Sequence, residues 1–255
     1  MTVFGDYAEY YDLFYMDKEY RAEAEYVSNV IRAIKPDAYS LLELGCGTGN
    51  YCREFVELGY SVLGIDRSPQ MIKQAEGFSF GLSQPPVRPH YQLGDIRDCR
   101  FGTKFDVVAS LFHVISYQTT NDDLIATLQT AREHLDAGGL FLFDCWNGPG
   151  VLSDPPKNPL KTVRSDQIAA TRRTTSTLLP DQNIVNVRFD FEITNSGSGT
   201  TTLLTEEHQM RYFFPNEIND FAALTDMQVL KKYKWLTEDE PDESAWYTLL
   251  VLGAI

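Results

Sequence analysis

The stretch Glu43-Leu44-Gly45-Cys46-Gly47-Thr48-Gly49-Asn50 decides the fold of this chain, because its glycines join a short apolar strand to a helix. The apolar run at 40–45 predicts the strand, and residues 50–58 are predicted to form the helix. Glycines let the backbone turn sharply and approach a ligand closely, and a helix amino terminus favours an anionic group. The nicotinamide and flavin fingerprint G-x-G-x-x-G requires a glycine where this chain has Asn50. The turn therefore predicts a ligand site and argues against a nucleotide-dependent oxidoreductase.

Strands and helices alternate on both sides of this turn. Apolar runs predict further strands at residues 61–66, 90–95, 105–112 and 139–146, and helices are predicted at residues 19–34, 68–76 and 121–135. The first of these helices carries the apolar residues Ala22, Tyr26, Val30 and Ile34 at four-residue spacing, which is typical of an amphipathic helix. Such alternation is typical of an α/β fold with a doubly wound, mainly parallel, Rossmann-like sheet.

The pattern changes after Asn147, where the chain becomes rich in proline and glycine. Beyond it we predict, in chain order, a loop at 148–160, three antiparallel strands within 162–214, a helix from Pro215 to Met227, and closing strands at 228–236 and 245–253. The segment Asp154-Pro155-Pro156-Lys157 follows the fifth predicted strand, and we interpret it as part of the loop.

Charge and composition restrict the class of ligand. The chain has 255 residues, of which 43% are hydrophobic, and a net charge of -14. A field of this sign repels phosphate backbones, so nucleic acid is not an expected partner. Only residues 151–235 balance their acidic and basic side chains, which makes this region the better place for an anionic small molecule. The chain shows no membrane-spanning segment, no basic leader and no cysteines at zinc-ligand spacing, which favours a cytoplasmic protein with buried, reduced thiols.

Two aspartates follow predicted strands at the edge where doubly wound sheets bind ligands. Asp66 ends the second strand and Asp95 the third, although each is also suited to cap a helix or a strand end. Together with the glycine-rich turn, they resemble the class I S-adenosylmethionine (SAM)-dependent methyltransferases over roughly residues 7–147. The resemblance implies a seven-stranded sheet, SAM as the cofactor, S-adenosylhomocysteine as its product, and no metal.

The same resemblance implies which residues bind SAM. The Asp66 carboxylate is expected to accept hydrogen bonds from the ribose hydroxyls. The Asp95 carboxylate is expected to accept a hydrogen bond from the adenine amino group. Residues 110–117 are expected to run past the sulfonium and the transferred methyl. The predicted SAM-binding residues are Tyr15, Glu43, Gly45, Gly47, Gly49, Asp66, Met71, Asp95, Ile96 and Leu111. The chain would then comprise an amino-terminal lid and helix (1–36), the SAM-binding core (37–147), an antiparallel β insertion on the substrate side after the fifth strand (148–214), and a closing helix with two core strands (215–255).

The amino-terminal segment Tyr7-Ala8-Glu9-Tyr10-Tyr11-Asp12-Leu13-Phe14-Tyr15 narrows the resemblance. It is similar to the Y-D-x-F-Y of methyltransferases that dimethylate nucleotide-linked amino sugars in deoxysugar biosynthesis, in which the last Tyr covers SAM near its methionine end. In that subgroup, a Tyr or His at the position of Tyr117 lies near the methyl group. The chain departs from the subgroup at two places. The W-W-F-P that follows the fifth strand in those enzymes is replaced here by Cys145-Trp146-Asn147-Gly148-Pro149, and the linker after Tyr15 is shorter than theirs. An aromatic cap packed on the sheet is the alternative interpretation of these tyrosines.

Catalytic and acceptor-binding residues are less constrained by the sequence. His113 is predicted to face the methyl group, either as a catalytic base or as a packed pocket residue, and Tyr117 is the second catalytic candidate. Acceptor contacts are predicted from Tyr11, Trp146, Arg173, His208 and Arg211. Arginine suits bidentate phosphate contacts, although these arginines also have acidic residues nearby as partners.

The predicted function is transfer of a methyl group from SAM to N or O of a small molecule, and the resemblance implies a nucleotide-linked amino sugar. A neutral amine needs no strong base and a hydroxyl does, so the sequence leaves N- and O-methylation open. The alternatives are an O-methyltransferase for a small metabolite without a nucleotide, and a non-catalytic SAM-binding protein. Both a monomer and a homodimer are compatible with the sequence.

Overall fold

A computed structural model describes residues 8–78 and 88–255 of the chain, so the predicted contribution of Tyr7 lies outside the described residues. At its centre is a seven-stranded sheet with five parallel strands from the first part of the chain. In spatial order the strands are β3 (His90–Leu93), β2 (Ser61–Asp66), β1 (Ser40–Leu44), β4 (Phe105–Ser110), β5 (Leu135–Asn147), β11 (Tyr247–Ala254) and β10 (Met227–Lys234). The strand β11 runs antiparallel to both of its neighbours. The five parallel strands, with helices on both faces of the sheet, confirm the predicted doubly wound fold.

Helices cover both faces of this sheet. One face carries α2 (Tyr20–Ile34), α3 (Asn50–Glu57) and α4 (Pro69–Gly77), and the other carries α5 (Asn121–Glu133) and α7 (Pro215–Leu224). The last of these ends three residues earlier than predicted, because Asp226 adopts a left-handed conformation with φ of 54°. No helix among residues 8–78 and 88–255 has the length and apolar character needed to cross a membrane.

The predicted amphipathic helix is present as α2, with Val30 buried and Tyr26 and Ile34 packed against the core. Its buried residues are Glu23, Ala24, Val27, Ser28, Val30 and Ile31, and Ala22 is exposed. These buried residues follow the helical period of 3.6 residues and therefore stay on one face. Residues spaced strictly four apart move gradually around the helix axis, so they do not all lie on that face. Glu23 is tolerated inside because Lys18 forms an ion pair with it at 2.5 Å and the Tyr51 hydroxyl donates a hydrogen bond to it.

The insertion after β5 is an antiparallel sheet of four strands, one more than predicted. In chain order these are β6 (Leu160–Arg164), β7 (Ile168–Leu179), β8 (Ile184–Asn195) and β9 (Thr201–Phe213), each paired with the next. The end of β9 pairs with the end of β5 through Trp146 with Tyr212 and Asn147 with Phe213. The insertion therefore stands at the carboxyl edge of the main sheet.

Part of the predicted loop at 148–160 is helical. Residues Gly148–Ser153 form a short helix, α6, in which Pro149 occupies the first turn, where its missing N–H is not needed. A Cβ on Gly150 would lie 2.1 Å from the carbonyl oxygen of Ala245, so close packing requires glycine here. The proline and glycine content favours a loop, but in the structure Pro149 lies in the first turn of α6 and Gly150 packs against the backbone of Ala245.

Candidate active site

A cavity of about 600 Å³ lies between the carboxyl edge of the parallel strands, the helix α1 (Ala8–Phe14) with the residues after it, and the inner face of the insertion. Most of the predicted site residues line this cavity, namely Tyr11, Tyr15, Glu43, Gly45, Gly47, Asp66, Met71, Asp95, Ile96, Leu111, His113, Tyr117, Trp146 and His208. The remaining three, Gly49, Arg173 and Arg211, do not line it. One cavity thus brings together the residues predicted for the cofactor and most of those predicted for the acceptor.

The glycine-rich turn requires glycine for two physical reasons. Gly45, Gly47 and Gly49 have φ of 80°, 54° and 78°, in the left-handed region that other residues rarely adopt. A Cβ on Gly45 would also lie 2.5 Å from Cγ1 of Val114, and one on Gly49 would lie 2.3 Å from the Tyr91 hydroxyl oxygen. Beside Gly47 there is open space. Contrary to the prediction, Gly49 shapes the turn against Tyr91 and does not line the cavity.

Asp66 ties the end of β2 to the glycine-rich turn. Its Oδ2 accepts a hydrogen bond from the Gly47 N–H at 2.9 Å, and its Oδ1 accepts one from the Ser68 N–H at 2.8 Å. Burial raises the pKa of the Asp66 carboxyl above its ordinary value. The Ser68 hydroxyl caps α4 by accepting a hydrogen bond from the Met71 N–H. The carboxyl group is therefore held in a fixed position at the cavity wall.

Asp95 is fixed by an arginine that the sequence analysis missed. Arg97 donates hydrogen bonds from Nη2 to Asp95 Oδ2 at 2.6 Å and from Nε to Oδ1 at 2.9 Å. Its Nη1 donates to Asp123 at 2.8 Å. The hydrogen bonds from Arg97 hold the pKa of Asp95 below its ordinary value, so the carboxylate remains ionised. The sequence Asp-Ile-Arg carried the signal, because it places an arginine within reach two residues after the acid.

Glu43 is a buried carboxyl at the wall of the same cavity, with 1% of its surface exposed. The Cys52 thiol donates a hydrogen bond to its Oε2 at 2.8 Å. Burial raises the pKa of Glu43 to about 7, so its charge changes near neutral pH. Cys52 and the three other cysteines are buried free thiols, as predicted.

The amino-terminal helix α1 and the residues after it close one side of the cavity. Asp12 Oδ1 accepts hydrogen bonds from Thr48 Oγ1 at 2.7 Å and from Asn50 Nδ2 at 2.9 Å. The ring of Tyr15 meets the ring of Phe112 edge-on, with 5.0 Å between the ring centroids. The segment is therefore fastened to the glycine-rich turn and to the residues that follow β4. These contacts of Asp12 and of the Phe112 ring could not be predicted from the sequence pattern.

His113 is paired with a carboxylate that the sequence analysis also missed. Its Nδ1 lies 2.6 Å from Oδ2 of Asp144, and its backbone N–H donates to the same carboxylate at 3.1 Å. The ring stacks on Tyr247, with 4.4 Å between centroids and 20° between planes. Asp144 escaped notice because it lies within the apolar run of β5, where its side chain is buried. The His113 imidazole therefore lies at the cavity wall with a buried carboxylate beside it.

Tyr117 and His208 meet across the cavity wall. The Tyr117 hydroxyl oxygen lies 3.0 Å from Nδ1 of His208, and Nε2 of that ring lies 3.3 Å from Oε2 of Glu206. His208 and Met210 line the cavity, whereas Arg211 points to the opposite side of β9, as strand alternation predicts.

Arg172 takes the place that was predicted for Arg173 and Arg211. Arg173 is exposed and lies across from Asp190 on β8. Arg211 is buried behind β9, where Nη2 donates to Glu217 at 2.6 Å. Neither side chain lines the cavity, because alternation along each strand turns it to the opposite face. Arg172 lines the cavity with only 9% of its surface exposed.

The proline-rich residues 154–157 lie at the edge of this cavity. The segment has no regular structure, as predicted, but Asp154, Pro155, Pro156 and Lys157 all line the cavity. Trp246 fixes the segment by donating a hydrogen bond from Nε1 to the Asp154 carbonyl oxygen at 2.9 Å. The sequence predicts only a loop here. Its position beside the site depends on the tertiary structure, which the order of predicted strands does not reveal.

Comparison with known sequences shows which proteins this chain resembles. Residues 41–139 match the family model described as a methyltransferase domain. The chain is 30% identical over 217 residues to the dTDP-3-amino-3,4,6-trideoxy-alpha-D-glucopyranose N,N-dimethyltransferase of Streptomyces venezuelae, which covers 81% of this chain and 86% of that protein. It is 28% identical to the dTDP-3-amino-3,6-dideoxy-alpha-D-glucopyranose N,N-dimethyltransferase of Streptomyces fradiae, covering 82% of each.

Comparison with solved structures gives the same result. The crystal structure of Streptomyces venezuelae DesVI has a TM-score of 0.79 at 27% identity and covers 98% of both chains. An S-adenosylmethionine-dependent methyltransferase from Clostridium acetobutylicum has a TM-score of 0.79 at 19% identity over 96% of both chains, and it shares the fold. Since these likenesses extend over most of the sequence and nearly all of the fold, the chain belongs to the SAM-dependent methyltransferase family of enzymes.

Proposed function

We propose that this methyltransferase N-methylates an amino sugar that is linked to a nucleoside diphosphate. One observation carries the proposal: a single cavity runs from Asp66 and Asp95, at the strand ends, to Arg172 and His208 in the insertion. A cofactor and a large polar acceptor would meet within that one space. The relatives from Streptomyces venezuelae and Streptomyces fradiae are named for acceptors of this chemical class.

The core half of the cavity fits SAM. Asp66 offers carboxylate oxygens to the ribose hydroxyls, and ionised Asp95 offers them to the adenine amino group. Open space beside Gly47 allows the ligand to approach the backbone closely. The wall for the adenine ring would come from the apolar side chains of Met71, Ile96 and Leu111. When bound, SAM supplies a methyl group that its positive sulfur has already activated.

The role of the protein is then to align the acceptor and to exclude water. Tyr15, as part of an amino-terminal lid (1–36), would cover the cofactor together with Phe112, which packs against it. The insertion (148–214) would roof the acceptor. Because the methyl group is activated by sulfur, the reaction needs no metal. Treatment with EDTA is therefore expected to leave turnover unchanged.

The insertion half of the cavity fits the proposed acceptor. Arg172 and Lys157 are the two cations on this side that suit a diphosphate, and arginine offers bidentate contacts. Apolar and aromatic surface for the sugar and the base would come from Tyr11, Trp146, Phe189 and Met210. The acceptor amine would lie near Tyr117 and His208, where polar groups face the cavity.

The decisive experiment offers the purified enzyme SAM and dTDP-3-amino-3,4,6-trideoxy-glucose and counts the added methyl groups by mass spectrometry. We expect SAM-dependent monomethyl and dimethyl products. The same nucleotide sugar with a hydroxyl in place of the amine is the control and should remain unmodified. If SAM binds but no nucleotide-linked amino sugar is methylated, the proposed acceptor class is wrong.

A second candidate is O-methylation of a small metabolite without a nucleotide. The pairing of His113 with Asp144 favours it, because an imidazole with a carboxylate beside it is suited to take a proton from a hydroxyl. Replacing His113 by Gln would then lower kcat by roughly 10²–10⁴-fold. An amine acceptor, which attacks in its neutral form, would lose much less.

A further inference from the structure

Three polar side chains lie next to one another in a row from the cavity into the insertion: Tyr117, His208 and Glu206. The Tyr117 hydroxyl oxygen lies 3.0 Å from Nδ1 of His208, and Nε2 on the other side of the ring lies 3.3 Å from Oε2 of Glu206. The His208 side chain is 2% exposed and that of Glu206 is 11% exposed. The row therefore begins at the cavity wall, crosses a buried imidazole, and ends at a carboxylate with access to solvent.

Packing holds the imidazole in this orientation. The His208 ring lies 5.0 Å from the ring of Phe189 on β8 and 5.8 Å from the ring of Tyr117, measured between centroids. The Glu206 carboxylate and Nε2 of His208 are close without forming a hydrogen bond, and the negative charge of Glu206, 3.3 Å from Nε2, favours the tautomer that carries its proton on Nε2. In that tautomer Nδ1 accepts the hydrogen bond of the Tyr117 hydroxyl. Burial raises the pKa of the Tyr117 hydroxyl above its ordinary value, so that group is protonated at neutral pH.

We propose that Tyr117, His208 and Glu206 form a proton relay that deprotonates the acceptor nitrogen after each methyl transfer. When the nitrogen lone pair forms the new bond to carbon, the sulfur keeps the electron pair of the broken bond and the product is an N-methylammonium ion. Its proton moves to the Tyr117 oxygen as the Tyr117 hydroxyl proton moves to Nδ1 of His208. The resulting imidazolium is stabilised by the Glu206 carboxylate, and one proton passes to solvent as the ring returns to its neutral form.

This inference rests on the proposed amine acceptor and explains how one site methylates the same nitrogen twice. An ammonium ion has no lone pair, so a second transfer requires that the first proton be removed. The lid and the insertion restrict water at the cavity, and the relay gives that proton a route through the protein. Tyr117 would be the catalytic residue, with His208 and Glu206 acting through it.

Two neighbouring glutamates on β9 provide a matched test. Glu206 lies beside His208 and is largely buried, whereas Glu207 points to the other side of the strand and is 73% exposed. With dTDP-3-amino-3,4,6-trideoxy-glucose as the probe, we expect Glu206→Gln to lower kcat about tenfold, leave the acceptor KM within about twofold, and make the monomethyl sugar the main product. The Glu207→Gln enzyme should keep the wild-type rate and product ratio.

A second measurement separates proton transfer from a structural role. His208→Gly opens space for free imidazole, and added imidazole should restore dimethylation; the Tyr117→Phe enzyme, which lacks the hydroxyl, should not respond to it. If imidazole restores nothing, or if Glu206→Gln and Glu207→Gln give the same product ratio, the relay is overturned while the proposed acceptor stands. If the wild-type enzyme methylates no nucleotide-linked amine, the proposed function fails and the relay fails with it.

Discussion

Arg172 donates a hydrogen bond from Nη1 to the Tyr15 hydroxyl oxygen at 3.2 Å, so the roof of the cavity is tied directly to its lid. The same guanidinium lies 4.5 Å from the centre of the Phe189 ring and 5.3 Å from that of Phe14. Cation–π contacts in a desolvated site stabilise by more than those at the surface. Arg172 therefore joins the lid and the insertion at a point that faces the proposed acceptor.

The first prediction compares this arginine with its neighbour in the sequence. Arg172→Ala should raise the acceptor KM at least tenfold, because a charge-assisted hydrogen bond contributes about 1.5–3 kcal/mol. Arg173→Ala should keep the wild-type KM, since that side chain is exposed outside the cavity. Steady-state kinetics with varied acceptor concentration measures both. A larger effect at Arg173 than at Arg172 would reverse the assignment of the two strand faces.

The second prediction concerns the ribose site. Asp66→Asn retains an oxygen for the Ser68 N–H but loses the charge and one acceptor, so the Kd for SAM should rise about tenfold. Calorimetric titration with SAM gives the affinity, and circular dichroism establishes that the fold is retained. An unchanged SAM affinity in a folded variant would mean that the ribose lies elsewhere.

Much of the core could be predicted from the sequence because its signals are local. The glycine-rich turn needs left-handed backbone, and the two aspartates follow strands whose ends meet at one edge of a parallel sheet. Asp144 could not be found in this way, because it lies within an apolar strand and its partner His113 is thirty-one residues away. Pairings at that distance depend on strand order, which residue patterns do not reveal.

The insertion shows the limit of alternation. Alternation along β9 puts His208 and Arg211 on opposite faces, but it does not say which face meets the cavity. The same limit applies to Arg172 and Arg173 on β7. A period of two divides side chains into two sets, and only the tertiary structure decides which set is inside.

The third prediction uses the pKa of Glu43, which burial raises to about 7. In the unfolded chain this carboxyl ionises at its ordinary value of 4.5, so folding favours the protonated form. Its contribution to the free energy of unfolding therefore falls as pH rises from 4.5 to 7, by about 3 kcal/mol in total. Glu43→Gln, which keeps an oxygen for the Cys52 thiol, removes this dependence.

The measurement for Glu43 is a comparison of Tm between the wild type and Glu43→Gln at pH 5 and at pH 8. The variant should gain Tm relative to the wild type as pH rises, because the wild type alone carries the buried charge at pH 8. Other titrating groups are shared by the two proteins and cancel in the difference. The same Tm difference at both pH values would show that Glu43 does not titrate in this range.

The last prediction concerns the lid. Deleting residues 1–15 would remove Phe14, which is fully buried against Val163, Ala170 and Phe191 of the insertion, so that deletion would also unpack the roof. Asp12→Ala is the sharper test, because it removes only the acceptor of the Thr48 and Asn50 hydrogen bonds. Two such bonds at a partly exposed site contribute about 1–2 kcal/mol, so the dissociation rate of SAM should rise about tenfold.

Asp17→Ala is the control, since its ion pair with Lys161 also joins this segment to the insertion but lies at the surface. Stopped-flow measurement of SAM release should separate the two variants; equal release rates would mean that the contacts of Asp12 do not hold the lid closed over the cofactor.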